Sequence, residues 1–404
     1  MTKPMKILHV IPSISADMGG PSQVALNLVK SLRDLGQEAE ILTTNFGMGD
    51  VPLGDRTDYL FDSTLNLSVP VWFMSYDPPN LKEFIFSRAA TAWLWRNLEN
   101  YDVLDHHYLF SYLPTCAAAI ARFKKIPYTV RTMGQLTPWA LAQGKAKKQI
   151  YTALLERKNL AKAAAIHCTA KGEAADVRAF GIQTPTITLP LGVNIPEAIA
   201  DAPAKLRSKY GIAPNIPIIL FLSRLHYKKR PDLLLRSLAD LRNAAEPFFA
   251  IFAGTGEPEY LEELQTLTQE LNLDQQVIFP GLITGEDKEC LLQGADLFAL
   301  PSFSENFGIA VAEAMVVGLP VVITRGIQIS PEIEAAQAGT IIDDTQTSLT
   351  AALLDLLRSP EKRRAMGERG QHFARTTYSW SAIAHQLIDE YTKIQQQNPQ
   401  HLGS

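Results

Sequence analysis

Short apolar runs and helical periods alternate along almost the whole chain. Residues 6–11 (KILHVI) carry a short apolar run and predict a buried strand. A polar loop follows at 13–21, with Gly19 and Gly20 side by side. The next apolar residues fall at 24, 25, 28, 29, 32 and 35, the spacing of one helix face, and Gly36 closes the segment. Residues 40–44 (EILTT) predict the second strand. Strand, helix and strand in this order make a βαβ unit, with parallel strands and a right-handed crossover. Further strands are predicted at 69–74, 101–107, 126–131, 164–169 and 185–189, and helices at 81–98, 144–163 and 174–180. Residues 46–80 are rich in Pro, Gly and Asp and lack a period, so a long loop region is expected around the strand at 69–74.

A second series starts beyond residue 210. Strands are predicted at 218–222, 248–253, 277–279, 296–300 and 321–324. Helices are predicted from 232, at 259–271, and from 309 up to Gly318. The stretch 326–339 reads as irregular, 346–357 and 359–377 as helical, and 379–395 as an amphipathic helix starting near Trp380. The polar tail 396–404 is expected to fray. At 404 residues, two such series predict two doubly wound α/β domains, at 1–190 and 191–378.

Two segments bring charged residues to the carboxyl ends of strands. After 218–222 comes SRLHYKKRP, which sets Arg224 and Lys229 beside a helix start. Two cations with free N–H groups nearby suit a diphosphate. The stretch 301–320 (PSFSENFGIAVAEAMVVGLP) puts Glu305 in a loop and Glu313 in a helix, eight residues apart. A helical path of that length spans about 12 Å. That reach suits a long ligand with hydroxyls at both ends and a phosphate between. Gly308 at the helix start would let backbone N–H groups approach phosphate oxygens. The Gly19 and Gly20 turn is a candidate phosphate loop, but it is not G-x-G-x-x-G, which weighs against a dinucleotide. His107 and Arg131 end their strands and are open to either a site role or a structural one.

The pattern PS-x-x-E-N-F-G-x-x-x-x-E-A-M-x-x-G-x-P-V-V resembles the E-x7-E region of retaining GT-B glycosyltransferases of family 4, the glycosyl transferases group 1. The resemblance implies the GT-B fold, α/β, with two Rossmann-like domains facing across a cleft. It implies a donor held mainly by the second domain, an acceptor held by the first, and a last helix, 379–395, crossing back to the first domain. Glu305 would meet the donor sugar and Glu313 the ribose, with Asn306, Phe307 and Gly308 against the donor. The family pattern G-R-L-x-x-x-K-G matches at Arg224 and Lys229, with Ser223 and Arg230 in place of its glycines. Those two cations would bind the diphosphate and offset the charge it gains on leaving. Ile283 would face the nucleobase, and Gly19 and Gly20 the diphosphate. His107 matches the second His of a D-x-x-H-x-H pattern in which Asp105 replaces the first. The catalytic set implied is Arg224, Lys229, Glu305 and His107. Met133 stands where the family has a His or basic residue, so that role does not carry over; Arg131 and Met133 are the acceptor-side candidates.

The reaction implied is hexosyl transfer, with retention, from a UDP- or GDP-sugar to an acceptor hydroxyl in polysaccharide, lipopolysaccharide or glycolipid assembly. The nucleotide sugar is a co-substrate; no other cofactor is expected. No D-x-D motif accompanies the donor residues, so no metal is expected either. A non-catalytic nucleotide-sugar or glycan binding protein of the same fold is the alternative. It would not account for Arg224, Lys229, Glu305 and Glu313 together.

Charge adds one distinction. The net charge of −4 divides into +4 over residues 1–190 and −8 over 191–404. The first half is therefore expected to face something anionic, though nucleic acid would want a denser basic patch. The segment 144–163 holds Lys145, Lys147, Lys148, Arg157 and Lys158. It reads either as a solvated helix or as a contact for an anionic membrane or a lipid-linked acceptor. Cys116, Cys168 and Cys290 lack metal-ligand spacing and fit buried thiols in a reducing compartment. With no signal peptide pattern and no membrane-length apolar run, a cytoplasmic protein is expected, with peripheral contact at the inner face of the membrane as an option.

Overall fold

The computed structural model describes residues 3–15, 18, 20–62, 66–78, 84–142, 151 and 155–397. The chain divides into two compact units, Met1–Gly192 with Trp380–Ser404, and Val193–Ser379.

The first unit is built on eight strands: β1 (Lys6–Val10), β2 (Glu38–Thr44), β3 (Arg56–Asp62), β4 (Leu67–Met74), β5 (Val103–His107), β6 (Tyr128–Arg131), β7 (Ala165–Cys168) and β8 (Thr186–Thr188). They lie in the order β3-β4-β2-β1-β5-β6-β7-β8. Only β3 runs antiparallel to its neighbour; the described ladders among the others are parallel. Side chains alternate between faces along each strand. Leu8, Val10, Leu104 and Val130 enter the core on one face, under the helices Arg88–Asn97 and Tyr112–Lys124. Ile7, Ile41, Val71 and Phe73 enter the other. There they meet Val29 and Leu32 of the helix Gly20–Asp34 and Leu387, Tyr391 and Ile394 of the C-terminal helix Trp380–Gln397. Each of these aliphatic side chains contributes on the order of 1.5–3 kcal/mol by leaving water.

The second unit is a six-stranded parallel sheet: β9 (Ile218–Leu222), β10 (Phe249–Ala253), β11 (Val277–Gly281), β12 (Leu297–Leu300), β13 (Val321–Thr324) and β14 (Gly339–Ile342). The order is β11-β10-β9-β12-β13-β14. The strands β9, β12 and β13 are short and buried throughout, as parallel strands covered on both faces must be.

Several segments differ from the sequence reading. The region 46–80 holds a strand, β3, whose residues are exposed or half-buried; an edge strand lacks the apolar run that marks a central one. The helix expected at 81–98 begins at Arg88, because Ser87 caps it, its hydroxyl accepting from Ala90 N at 3.0 Å. The stretch 326–339, expected to be irregular, contains the helix Ser330–Ala335. Of the basic segment 144–163, the helix Arg157–Lys162 is described, and Lys145, Lys147 and Lys148 lie outside the described residues. No described helix is long and apolar enough to cross a membrane.

Candidate active site

In the second unit the strand order turns back at β9 and β12, which are neighbours in the sheet. In doubly wound sheets, ligands bind outside the carboxyl ends of the strands at such a point. The two loops that leave it are 223–230 after β9 and 301–308 after β12, and both carry charge.

The β9 loop makes a single 3₁₀ turn, Tyr227–Lys229, before the helix Pro231–Asn243. His226 caps that turn through Nδ1, which accepts from Lys228 N at 3.1 Å. Arg224 is exposed and makes no ion pair among the described residues. Lys229 is largely buried, with its ammonium against Glu305 Oε1. Four cations stand in this short loop, Arg224, Lys228, Lys229 and Arg230, the last paired with Asp344 Oδ1 at 2.8 Å. Burial, followed by the charges of Arg224, Lys229 and Lys228, lowers the His226 imidazole below its ordinary value. Lys228 is also lowered, by burial first and then by Lys229 and Arg224, with Glu305 opposing. Burial is the first cause of both shifts, and the neighbouring cations add to it.

The β12 loop is fixed by its backbone. Ser302 Oγ lies 2.9 Å from Lys228 O and 3.0 Å from Glu305 Oε1, and its one proton can be donated to either, tying the two loops together. Glu305 N donates to Gly326 O at 3.0 Å, and Glu305 O accepts from Gln328 N at 3.0 Å. The carboxylate is therefore held in place from both sides of the chain. Gly308 then precedes the helix Ile309–Val316 with φ of 81°, a left-handed conformation that suits glycine. Phe307 is 2 % exposed and packs edge-on against Tyr378, with ring centroids 5.2 Å apart. A donor contact by its side chain is corrected on this point, since that side chain belongs to the core. Asn306 and Ile283 are half-buried.

Glu313, on the second turn of that helix, is paired with Lys288 Nζ at 2.7 Å. Lys288 comes from the helix Gly285–Gly294, which follows the turn holding Ile283. Sequence reasoning gave no role to Lys288, which belongs to no spaced motif, or to Ser302, although Ser302 is the Ser of the PS-x-x-E pattern. The only signal for Lys288 is its position, one turn into a helix.

The sequence candidates of the first unit land differently. Gly19 lies outside the described residues, and Gly20 is exposed at the start of its helix. Met133 is half-buried with φ of 50°. His107 and Arg131 are buried, at 0 % and 3 % exposure, so neither offers a side chain to solvent. Registers place His9 beside Asp105, Asp105 beside Thr129, His107 beside Arg131, and Arg131 beside His167. All share the sheet face that the C-terminal helix covers. Asp105 Oδ2 accepts from Arg131 Nε at 2.7 Å and from Tyr391 OH at 2.6 Å, and Oδ1 accepts from Thr129 Oγ1 at 2.9 Å. Burial alone would raise the Asp105 carboxyl, but Arg131 holds it well below the usual carboxylate range. The Arg131 charge is spent inside the unit, which corrects the expectation of a cation for an acceptor.

His9, Asp105 and His107 form the one group among the described residues with metal-like spacing, and His9 Nδ1 lies 3.1 Å from His107 Nε2. The group does not fit a cation. Asp105 Oδ2 already accepts from two donors, and a dication there would face the Arg131 guanidinium.

Residues 204–373 match the family described as "Glycosyl transferases group 1", and residues 19–192 match "Glycosyl transferase 4-like domain". The chain belongs to the GT-B glycosyltransferases of family 4. This family 4 chain is 26 % identical over 397 residues to a D-inositol 3-phosphate glycosyltransferase of Xylanimonas cellulosilytica, covering 95 % of this chain and 94 % of that one. It is 32 % identical over 221 residues to a GDP-mannose-dependent alpha-(1-6)-phosphatidylinositol monomannoside mannosyltransferase of Mycolicibacterium smegmatis, covering 52 % of this chain and 57 % of that one. Among solved structures, Anabaena Alr3699/HepE in complex with UDP and glucose is similar in fold, with a TM-score of 0.75 at 20 % identity over 96 % of this chain and all of that one. WaaG, a glycosyltransferase involved in lipopolysaccharide biosynthesis, has a TM-score of 0.67 at 19 % identity over 96 % of this chain and 99 % of that one.

Proposed function

We propose that this family 4 glycosyltransferase moves a hexose, with retention and without a metal ion, from a UDP- or GDP-sugar to a hydroxyl of a glycan or lipid-linked acceptor. The observation that carries the reading is the charge built around the strand reversal of the second unit. Arg224, Lys228 and Lys229 crowd one loop, and Glu305 is fixed against Lys229 from the next. The donor diphosphate is assigned to Arg224, Lys229 and the N–H groups after Gly308, and the ribose to Glu313. As the bond from the sugar C1 to the diphosphate oxygen breaks, negative charge grows on that oxygen, and the two cations offset it. The acceptor oxygen bonds C1 on the same face, and its proton passes to the departing phosphate oxygen. Glu305 meets the sugar hydroxyls in this arrangement.

Relatives support the donor class. The Mycolicibacterium protein is named for GDP-mannose, and the Anabaena protein is solved with UDP and glucose. The lipid-linked option for the acceptor rests on the Mycolicibacterium relative, named for a phosphatidylinositol monomannoside, and on the basic residues of 144–163.

The test is donor turnover with UDP- and GDP-hexoses, with and without candidate acceptors, in excess EDTA. Transfer that persists in EDTA, with the anomeric configuration kept by NMR, is the expected result. Transfer restored only by Mn²⁺ or Mg²⁺ would overturn the metal-free reading. Binding with no turnover of any donor would favour a binding protein.

A further inference from the structure

Arg230 stands where the pattern G-R-L-x-x-x-K-G ends in glycine. Its backbone keeps the conformation that a glycine would take, with φ of 56° and ψ of 45°, in the left-handed region that a Cβ disfavours. An arginine is therefore held where glycine is the easier residue, and its side chain must offset that strain.

The side chain joins three loops at the carboxyl ends of the sheet. Arg230 itself closes the loop after β9. Its Nη1 donates to Asp344 Oδ1 at 2.8 Å, and Asp344 lies just beyond β14. Its guanidinium carbon lies 4.4 Å from the centroid of the Phe303 ring, in the loop after β12. Its Nε lies 3.4 Å from Asp232 Oδ1, in the first turn of the helix Pro231–Asn243. In the sheet β12 and β13 lie between β9 and β14, so the ion pair with Asp344 joins loops whose strands are not neighbours. The charge of Arg230 is committed to two carboxylates and a ring, and its side chain is half-buried among them. A planar guanidinium suits this double use, since it bonds in its plane and stacks on its face.

The join reaches the candidate site through adjoining residues. Lys229 directly precedes Arg230, and its ammonium lies against Glu305. Phe303 N donates to Lys228 O at 2.9 Å, just before Glu305 in the chain. The Phe303 ring is half exposed, so the core does not hold it, and the stacked guanidinium does. Arg230 thus restrains the loop of Lys229 and the loop of Glu305 as one body.

We propose that Arg230 is a positioning residue for the transfer reaction, holding Lys229 and Glu305 in register, a role that rests on the assignment of the donor diphosphate to Lys229. Arg230 touches no reacting atom and acts through Lys229. Negative charge grows on the diphosphate as the sugar leaves, so a displaced Lys229 costs more in the transition state than in the bound donor. Loss of Arg230 should therefore lower kcat more than it raises the donor KM.

The experiment compares transfer from UDP- and GDP-hexoses by Arg230→Gly, Asp344→Asn, the double variant and Lys229→Met, with hydrogen exchange over residues 301–305 in the donor-free protein. Arg230→Gly places the residue that the backbone favours, so its thermal unfolding is expected to match the wild type. Its kcat is expected to fall at least about tenfold, with donor KM changed less than about threefold, and exchange at the Phe303 amide should quicken. Asp344→Asn leaves the backbone at 230 as it is and should move all three in the same direction by less. The double variant should lose no more than Arg230→Gly alone, because both act through one contact. A wild-type kcat in Arg230→Gly beside a Lys229→Met variant that has lost its rate overturns the role of Arg230 and leaves the diphosphate assignment standing. A wild-type kcat in Lys229→Met removes that assignment and the role of Arg230 with it. Losses that add in the double variant, or exchange over 301–305 that stays at the wild-type rate in Arg230→Gly, also overturn the role.

Discussion

Asp105 shows how one residue comes to serve structure rather than chemistry. It ends up inside because side chains on a strand alternate, and its face is the one that the C-terminal helix covers. A buried carboxylate needs partners, and Arg131, Thr129 and Tyr391 supply them. Arg131→Met would leave the charge uncompensated and is expected to cost about 3–5 kcal/mol in urea unfolding. Tyr391→Phe removes one donor to a charged acceptor and should cost less, about 1.5–3 kcal/mol. Equal, negligible losses in both would mean that Asp105 is not held as a charge. In the second unit, Glu313→Gln should weaken nucleoside diphosphate binding by about 1.5–3 kcal/mol, since a ribose hydroxyl would lose a charged acceptor. Calorimetry with GDP and UDP measures this; unchanged affinity for both would remove the ribose assignment.

At the scale of elements, the join between the linker and the last helix is tight. A Cβ on Gly192 would come within 2.2 Å of the Trp380 ring. Gly192→Ala must shift that ring and is expected to cost about 1–3 kcal/mol, with faster amide exchange along the helix Trp380–Gln397. Exchange indistinguishable from wild type would show that the ring moves freely. Central strands such as β1, β9 and β12 were legible in the sequence because both faces are buried and the apolar run is continuous. The edge strand β3 was not, since half its positions stay wet. Arg224, Lys229, Glu305 and Glu313 could be picked out because fixed spacing ties them to strand ends. Lys288 could not, because its meaning depends on packing beside Glu313. His107 and Arg131 looked like site residues for the opposite reason: a strand end does not reveal which sheet face a helix from the far end of the chain will cover.

For the whole molecule, acid is expected to act on the first unit before the second. Burial keeps His9 and His106 neutral down to about 4, against an ordinary value of 6.5, and it also lowers His107 and His167 well below that ordinary value. All four belong to the first unit. Unfolded, these groups would take up protons as pH falls below about 6.5. Folded, His9 and His106 do not until about 4. Their contribution is therefore fully present above the unfolded value and is lost as pH drops through that window. Each group sets a slope of up to about 1.4 kcal/mol per pH unit. The depressed carboxyl of Asp105 adds a further loss below the ordinary carboxylate range. Hydrogen exchange by mass spectrometry at pH 5 and 7.5 should show protection falling first in β1, β5, β6 and β7; loss confined to the second unit would contradict the sign of the argument.

The central claim is that Arg224 and Lys229 take the place of a metal at the leaving diphosphate. The most direct test is the transfer rate of Arg224→Met and Lys229→Met at saturating donor in EDTA, with thermal unfolding checked for each. The account predicts a fall in kcat of about 100-fold or more for each variant. Rates within about twofold of wild type would contradict it.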